Sequence, residues 1–257
     1  MTDLFEMDDR PLYEQQYEKM LYERSRIAER LACQIIDTCS PYLSKPVSEW
    51  EVLDCGSGYG FTAAELAKRC KRVKGIEPSH TLYVEAVRIQ QEKHLANLSF
   101  ANIGAETLSD HNVYDLVVLD NVLEHIREQL QALQRIFHAL RPNGVLFIVV
   151  PNKLWPIEVH YRLPFLSYLP LSLANIYLRL TGKGTDYSDA CYAPTFWTLR
   201  RLLNAAGFRE FYFVVPANLA NTMKGDVWYY RLGARLLRRI PLLWIISKAF
   251  VVVAIKR

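Results

Sequence analysis

One nine-residue stretch constrains this chain more than any other. Val52-Leu53-Asp54-Cys55-Gly56-Ser57-Gly58-Tyr59-Gly60 reads as a strand, a glycine-rich turn and a helix start. Without a Cβ, glycine lets the backbone turn sharply and approach a ligand. The spacing is GxGxG, not the GxGxxG that opens a helix onto a dinucleotide pyrophosphate, which disfavours a nicotinamide cofactor. An apolar strand feeding such a turn needs apolar neighbours. They follow in order: strands are expected at Glu51 to Asp54, Arg72 to Glu77, Leu98 to Ile103, Tyr114 to Asp120 and Gly144 to Pro151. Helices begin between them near Phe61, Ser79 and Glu128. That alternation predicts an α/β fold, a Rossmann-like doubly wound sheet with helices on both faces.

The flanks elaborate this core. Residues 1–45 read as an N-terminal helical cap: Tyr13, Tyr17, Met20, Leu21, Ile27 and Leu31 recur at helical spacing from Leu12 to about Leu43, before Pro41 and Pro46 punctuate the chain. Residues 46–151 form the cofactor-binding core. In the helix from Glu128, Leu130, Leu133, Ile136, Phe137 and Leu140 make a core stripe that stops at Arg141-Pro142-Asn143-Gly144, a tight turn into the next strand. Residues 152–193 are too long and too apolar for a bare connection and read as a substrate-covering insertion. Residues 194–257 complete the sheet with a helix at Thr198 to Ala206, a strand at Phe208 to Val215, a basic amphipathic helix at Gly225 to Trp244 and a last, antiparallel strand at Lys248 to Ile255. A single domain is expected over residues 1–257; with 51% hydrophobic residues the chain can bury a large core.

A net charge of +4 is too small to suggest a nucleic-acid partner, but its distribution is uneven. Residues 224–257 hold eight Lys/Arg and one acidic residue, Asp226, whereas residues 1–30 hold eight acidic and five basic side chains. The basic helix at 225–244, with Arg231, Arg235, Arg238 and Arg239 beside Leu232, Leu236, Leu237 and Ile240, suits a surface helix docked on the sheet, contact with an acidic partner, or peripheral contact with an anionic membrane. The longest apolar stretch, Ile240 to Ile255, is interrupted by Pro241 and Lys248 and is shorter than the ~20 residues that span a bilayer. Five cysteines without CxxC or metal-ligand spacing fit a reduced compartment, and with no secretory signal visible the expectation is a cytoplasmic protein.

From about Trp50 to Pro151 the chain resembles class I S-adenosylmethionine-dependent methyltransferases of the ubiquinone-methyltransferase-like type. Asp54, the glycines, and Glu77 23 residues after Asp54 carry the resemblance, together with Asp120-Asn121-Val122-Leu123-Glu124-His125, which is similar to the family's EvlEH segment. The resemblance implies S-adenosylmethionine as cofactor. It implies Asp54 near the methionine moiety, Gly56, Ser57 and Gly58 lining the cofactor, Glu77 and Pro78 at the ribose, and Asp120 and Asn121 beneath it. The family's acidic adenine-side residue falls on Gly104, so adenine is expected against backbone near Ala105, with Asn102 or Glu106 as substitutes. Some relatives hold a divalent metal through Glu-x-x-Glu-His; Asn121 replaces the first glutamate here, and no metal site is assigned.

Methyl transfer from a sulfonium needs alignment and exclusion of water, and a hydroxyl acceptor also needs a base. His125, after the fourth strand, and His160, after the fifth, are the candidate catalytic residues. The insertion brings Trp155, Tyr161, Phe165, Tyr168, Tyr177, Tyr187 and Tyr192, a composition suited to a small-molecule, glycan or lipid-linked acceptor or simply to a packed cap. The expected reaction is methylation at oxygen. The alternative is an inactive S-adenosylmethionine-binding regulatory or partner protein. No Asn/Asp-Pro-Pro-Tyr/Phe segment suggests nucleic-acid amino-methylation.

Overall fold

The computed structural model describes residues 12–216, 218, 219 and 227–257, with the side chains of residues 12–24 outside that description. Every expected apolar run is a strand: β1 (Glu51–Cys55), β2 (Arg72–Ile76), β3 (Leu98–Ala101), β4 (Tyr114–Asp120), β5 (Leu140–Pro151), β6 (Glu210–Phe213) and β7 (Ala249–Ile255). They form one sheet in the order β3-β2-β1-β4-β5-β7-β6. β1 to β5 pair in parallel, and β7 runs antiparallel to both β5 and β6.

The helices are α1 (Leu12–Cys39), α2 (Phe61–Ala67), α3 (His80–Glu92), α4 (Gln129–Ala139), α5 (Leu171–Leu180), α6 (Phe196–Ala206) and α7 (Trp228–Arg239). Because alternate strand residues face opposite sides, the sheet builds two cores. Leu53, Val117, Leu119, Leu146 and Ile148 pack with Leu133 and Ile136 of α4 and Leu199 and Leu203 of α6. Val52, Leu116, Val118, Val145 and Phe147 pack with Ile35 of α1 and Ala63, Ala64 and Leu66 of α2. Burial on both faces explains why these strands are continuously apolar. From β1 the order runs outward to β2 and β3 and then returns to β4, so the carboxyl ends of β1 and β4 border the switch point where ligands bind in such sheets.

Four expectations shift. Leu130 is 38% exposed; the buried stripe of α4 is Ala132, Leu133, Ile136 and Ala139, two of them alanines that allow close approach to the sheet. The turn at Arg141–Gly144 does not separate helix from strand. It is absorbed into β5 as an irregularity, with Tyr114 paired to Leu140 and Leu116 to Val145, and Asn143 takes a left-handed φ of 64°. β6 is shorter than the run from Phe208 to Val215. The basic helix ends at Arg239, and Pro241 opens a 3-10 segment, Pro241–Ile246; its expected start at Gly225 lies outside the described residues. The insertion holds α5 and a small apolar cluster of its own, including Tyr161, Leu166, Leu178 and Tyr187. No helix among the described residues is long and apolar enough to cross a membrane.

Candidate active site

The glycine loop owes its shape to backbone conformations that side chains resist. Gly56, Gly58 and Gly60 have φ of 66°, 53° and 74°. A Cβ on Gly56 would lie 2.5 Å from the Val122 side chain, so the loop sits directly against the end of β4. Gly56 and Ser57 donate their N–H groups to the Ile76 carbonyl at 2.8 and 3.0 Å. Glu77 completes the cradle: its carboxylate accepts from the Gly58 N–H and the Ser79 N–H, both at 2.9 Å, and is 4% exposed. It is thus no solvated strand end.

Two further observations fit the chain to a bound cofactor. Ser57 Oγ is buried with no hydrogen-bond partner, a costly state that a polar ligand atom would relieve. A Cβ on Gly104 would run into the Glu106 carboxylate, which folds back against residue 104 beside buried Ala105. Asn102 is otherwise engaged, its amide donating to the carbonyls of Glu77 at 2.7 Å and Pro78 at 2.9 Å. Across the crevice Asp54, 4% exposed, pairs with Val118 on β4. Asp120 ends that strand. Asn121 turns left-handed at φ 56°, tied through its backbone N–H to the Val149 carbonyl and through its amide to Asp120.

The two candidate histidines meet at the same sheet edge. His125 closes a 3-10 turn, Leu123–His125, that follows β4, and its ring centroid is 5.2 Å from that of His160 at an interplanar angle of 70°. His125 Nδ1 lies 2.6 Å from the Asp189 carbonyl oxygen, which only accepts, so the proton sits on Nδ1 and Nε2 presents a lone pair. His160 Nδ1 lies 2.7 Å from Glu158 Oε1, while Glu158 Oε2 accepts from the N–H groups of His160 and Tyr161. Burial, then the neighbouring His160, lowers the pKa of His125 to about 4. Burial also pulls His160 down, but the hydrogen bond and charge of Glu158 and the charge of Glu124 outweigh it and raise its pKa. Glu124 is fully buried, with Oε1 4.0 Å from His125 Nε2, and one donor atom from each of Glu124, His125 and His160 lies within 4.8 Å of the others. That spacing is within reach of a single divalent ion.

The insertion is bolted to this turn. Tyr192 donates its backbone N–H to the Glu124 carbonyl, and the Gln129 amide donates to the carbonyls of Leu123 and Tyr192. Beside it opens a cavity of about 500 Å³ lined by Lys153, Leu154, Tyr168, Tyr192, Thr195 and Thr198. Of the aromatic residues singled out in the sequence, Tyr168 and Tyr192 face this cavity, whereas Tyr161 and Tyr187 fill the insertion's own cluster.

A family described as methyltransferase domain matches residues 22–210. The chain belongs to that family. S-adenosylmethionine is accordingly its cofactor, and the glycine loop, Ser57 and Glu77 border one crevice between β1, β2 and β4. A ubiquinone biosynthesis O-methyltransferase of Rickettsia typhi is 27% identical over 107 residues, 42% of this chain and 43% of that one, so the chain spans less than half the length of such curated relatives. A methyltransferase from Aquifex aeolicus shares the fold at a TM-score of 0.57 and 17% identity, over 95% of this chain and 98% of its own. So does the [4+2]-cyclase SpnF, at 0.57 and 16% over 95% and 94%, which shows that the fold alone does not decide the reaction.

Three contacts at this site escape sequence reasoning. The Asp189 carbonyl carries no side-chain signal. The Glu158–His160 pair is visible only as a Glu-x-His spacing, and the seating of Gly56 against Val122 requires the sheet order.

Proposed function

We propose that this methyltransferase moves the methyl group of S-adenosylmethionine to a hydroxyl oxygen of a small-molecule, sugar or lipid-linked acceptor. The observation that carries the reading is the pairing of His160 with buried Glu158, face to edge with a neutral His125. Bound S-adenosylmethionine supplies an activated methyl group, leaving the protein to align, dry and deprotonate the acceptor. Asp54, Gly56, Ser57, Gly58, Glu77, Pro78, Ala105, Asp120 and Asn121 hold the cofactor, with Glu106 added on the adenine side. His160 Nε2 takes the hydroxyl proton as the new carbon–oxygen bond forms, and Glu158 stabilises the imidazolium. His125 packs edge-on against His160 and, neutral, holds that ring in place without adding a charge. The insertion over residues 152–193 covers the acceptor, whose ring or sugar face suits Tyr168 and Tyr192 around the cavity. The ubiquinone O-methyltransferase name of the relatives agrees with oxygen as the methylated atom.

The test begins with a thermal-shift titration using S-adenosylmethionine, S-adenosylhomocysteine and NAD, in which the first two alone raise the midpoint. Phenolic, sugar and lipid-linked alcohols are then screened for release of S-adenosylhomocysteine. Turnover that survives a chelator supports the proton relay. Turnover lost to the chelator and restored by a divalent ion would transfer Glu124, His125 and His160 to a metal. Cofactor binding without turnover on any acceptor class would favour the inactive binding protein instead.

A further inference from the structure

Residues 227–257 contain seven arginines and lysines and no acidic residue. Within them α7 buries only Ala234. At 100° per residue the helix has three sectors. Tyr230, Gly233, Ala234 and Leu237 face inward, with Leu237 packed on the core. Trp228, Tyr229, Leu232, Leu236 and Ile240 form an outward apolar stripe, exposed by 72%, 53%, 42%, 40% and 45%. Arg231, Arg235 and Arg238 fill the sector between, and Arg239 falls within the apolar stripe between Trp228 and Leu232; all four are exposed. Arg238 donates to the neutral Pro216 carbonyl at 2.8 Å, which leaves its charge in place. The 3-10 segment continues the apolar surface with Leu242 and Ile246, 72% and 57% exposed.

We infer that α7 and the Pro241–Ile246 segment are a docking face for an anionic lipid bilayer. A water-facing helix does not keep a tryptophan, a tyrosine and three aliphatic side chains in one sector without a partner to cover them. Arginines beside that sector select a negatively charged cover, and Trp and Tyr suit the headgroup region. At the foot of the helix a cavity of about 450 Å³ is lined by Phe196, Phe213, Leu237 and Trp244 and flanked by Arg200 and Arg238, an apolar lining beside two cations. The face also lies at the catalytic edge of the sheet. Asn152, just past β5, donates its amide to the Ile245 and Ser247 carbonyls, and β7 starts where β5 ends, with Ala249 opposite Pro151. A bilayer held there presents an amphiphile directly to the site, which selects the lipid-linked acceptor; this last step alone rests on the proposed methyl transfer.

The test is cosedimentation of the full chain with phosphatidylcholine vesicles with and without phosphatidylglycerol, with no cofactor or acceptor added, so its result is independent of turnover. The expected result is pelleting with the anionic vesicles that is weakened by salt. Arg235→Gln with Arg239→Gln lowers the partition coefficient about thirtyfold, as two arginines near a charged surface would. Trp228→Ser with Leu232→Ser lowers it as well, and the thermal shift with S-adenosylhomocysteine stays unchanged in both variants, showing that they fold. No pelleting, equal pelleting with neutral vesicles, or equal pelleting of the arginine variant would overturn the inference. So would a dimer that dissociates in the Trp228 variant without any vesicle binding, which would give the face to a second copy of the chain.

Discussion

The cofactor side and the acceptor side of the crevice are built by different means. Around β1 and β2 the backbone dominates: three left-handed glycines, N–H groups donated to Ile76, and a glutamate held by two further N–H groups. Beyond β4 and β5 the contacts are between ionisable side chains and a loop: His125, His160, Glu124 and Glu158, oriented by the insertion. A backbone cradle depends on conformations only certain residue types permit, so it leaves a sequence mark. A proton-handling cluster depends on pairings across long chain separations and leaves little.

If this division of labour holds, substitutions on one side should change turnover without affinity and on the other affinity before turnover. The largest effect is expected from His160→Ala, with kcat falling about 10²–10⁴-fold while the S-adenosylhomocysteine Kd stays within error in calorimetry. A comparable loss of cofactor affinity in that variant would break the comparison. Glu77→Ala is next: about 100-fold weaker cofactor binding and a lower apo midpoint, because a buried charged acceptor and its bonds to Gly58 and Ser79 are lost together.

Glu158→Gln should lower kcat about tenfold and move the acid limb of the pH–rate profile downward. His160 must be neutral to accept a proton and Glu158 holds its pKa up, so the wild-type limb lies above the ordinary histidine range. Stability follows the two histidines with opposite signs. His160, raised in the fold, contributes stability below its unfolded pKa of 6.5 that fades as pH rises through its folded value. His125, lowered to about 4, costs stability as pH falls from 6.5 toward 4, because the unfolded chain binds the proton first. Urea midpoints should therefore drop over that acid window, and His125→Gln should flatten the drop. The smallest effect belongs to Ser57→Ala: cofactor binding about three- to tenfold weaker, with apo stability equal or higher since its hydroxyl has no partner to lose.

How much could be read in advance follows the same line. β4, the second half of β5, and β7 are legible as apolar runs because both faces of the sheet are covered there. Asp54, the glycines and Glu77 stood out by spacing. Leu130 has the spacing of a core residue yet is exposed, because the alanines that decide which face of α4 packs carry little hydrophobic signal. His125 and His160 could be named, but not their partners, since Asp189 lies 64 residues from His125 and contributes only a carbonyl.

That carbonyl has a consequence of its own. Any amino acid at position 189 would offer the same oxygen, so no ordinary substitution there removes the group that fixes the proton on His125. The tautomer is written in the path of the chain rather than in a side chain. It tolerates replacement of residue 189 and is vulnerable to a change of loop length, whereas the neighbouring His160 can be disarmed by one exchange at Glu158. Two adjacent imidazoles thus differ in heritability: one is guarded against point mutation and exposed to insertion and deletion, the other the reverse.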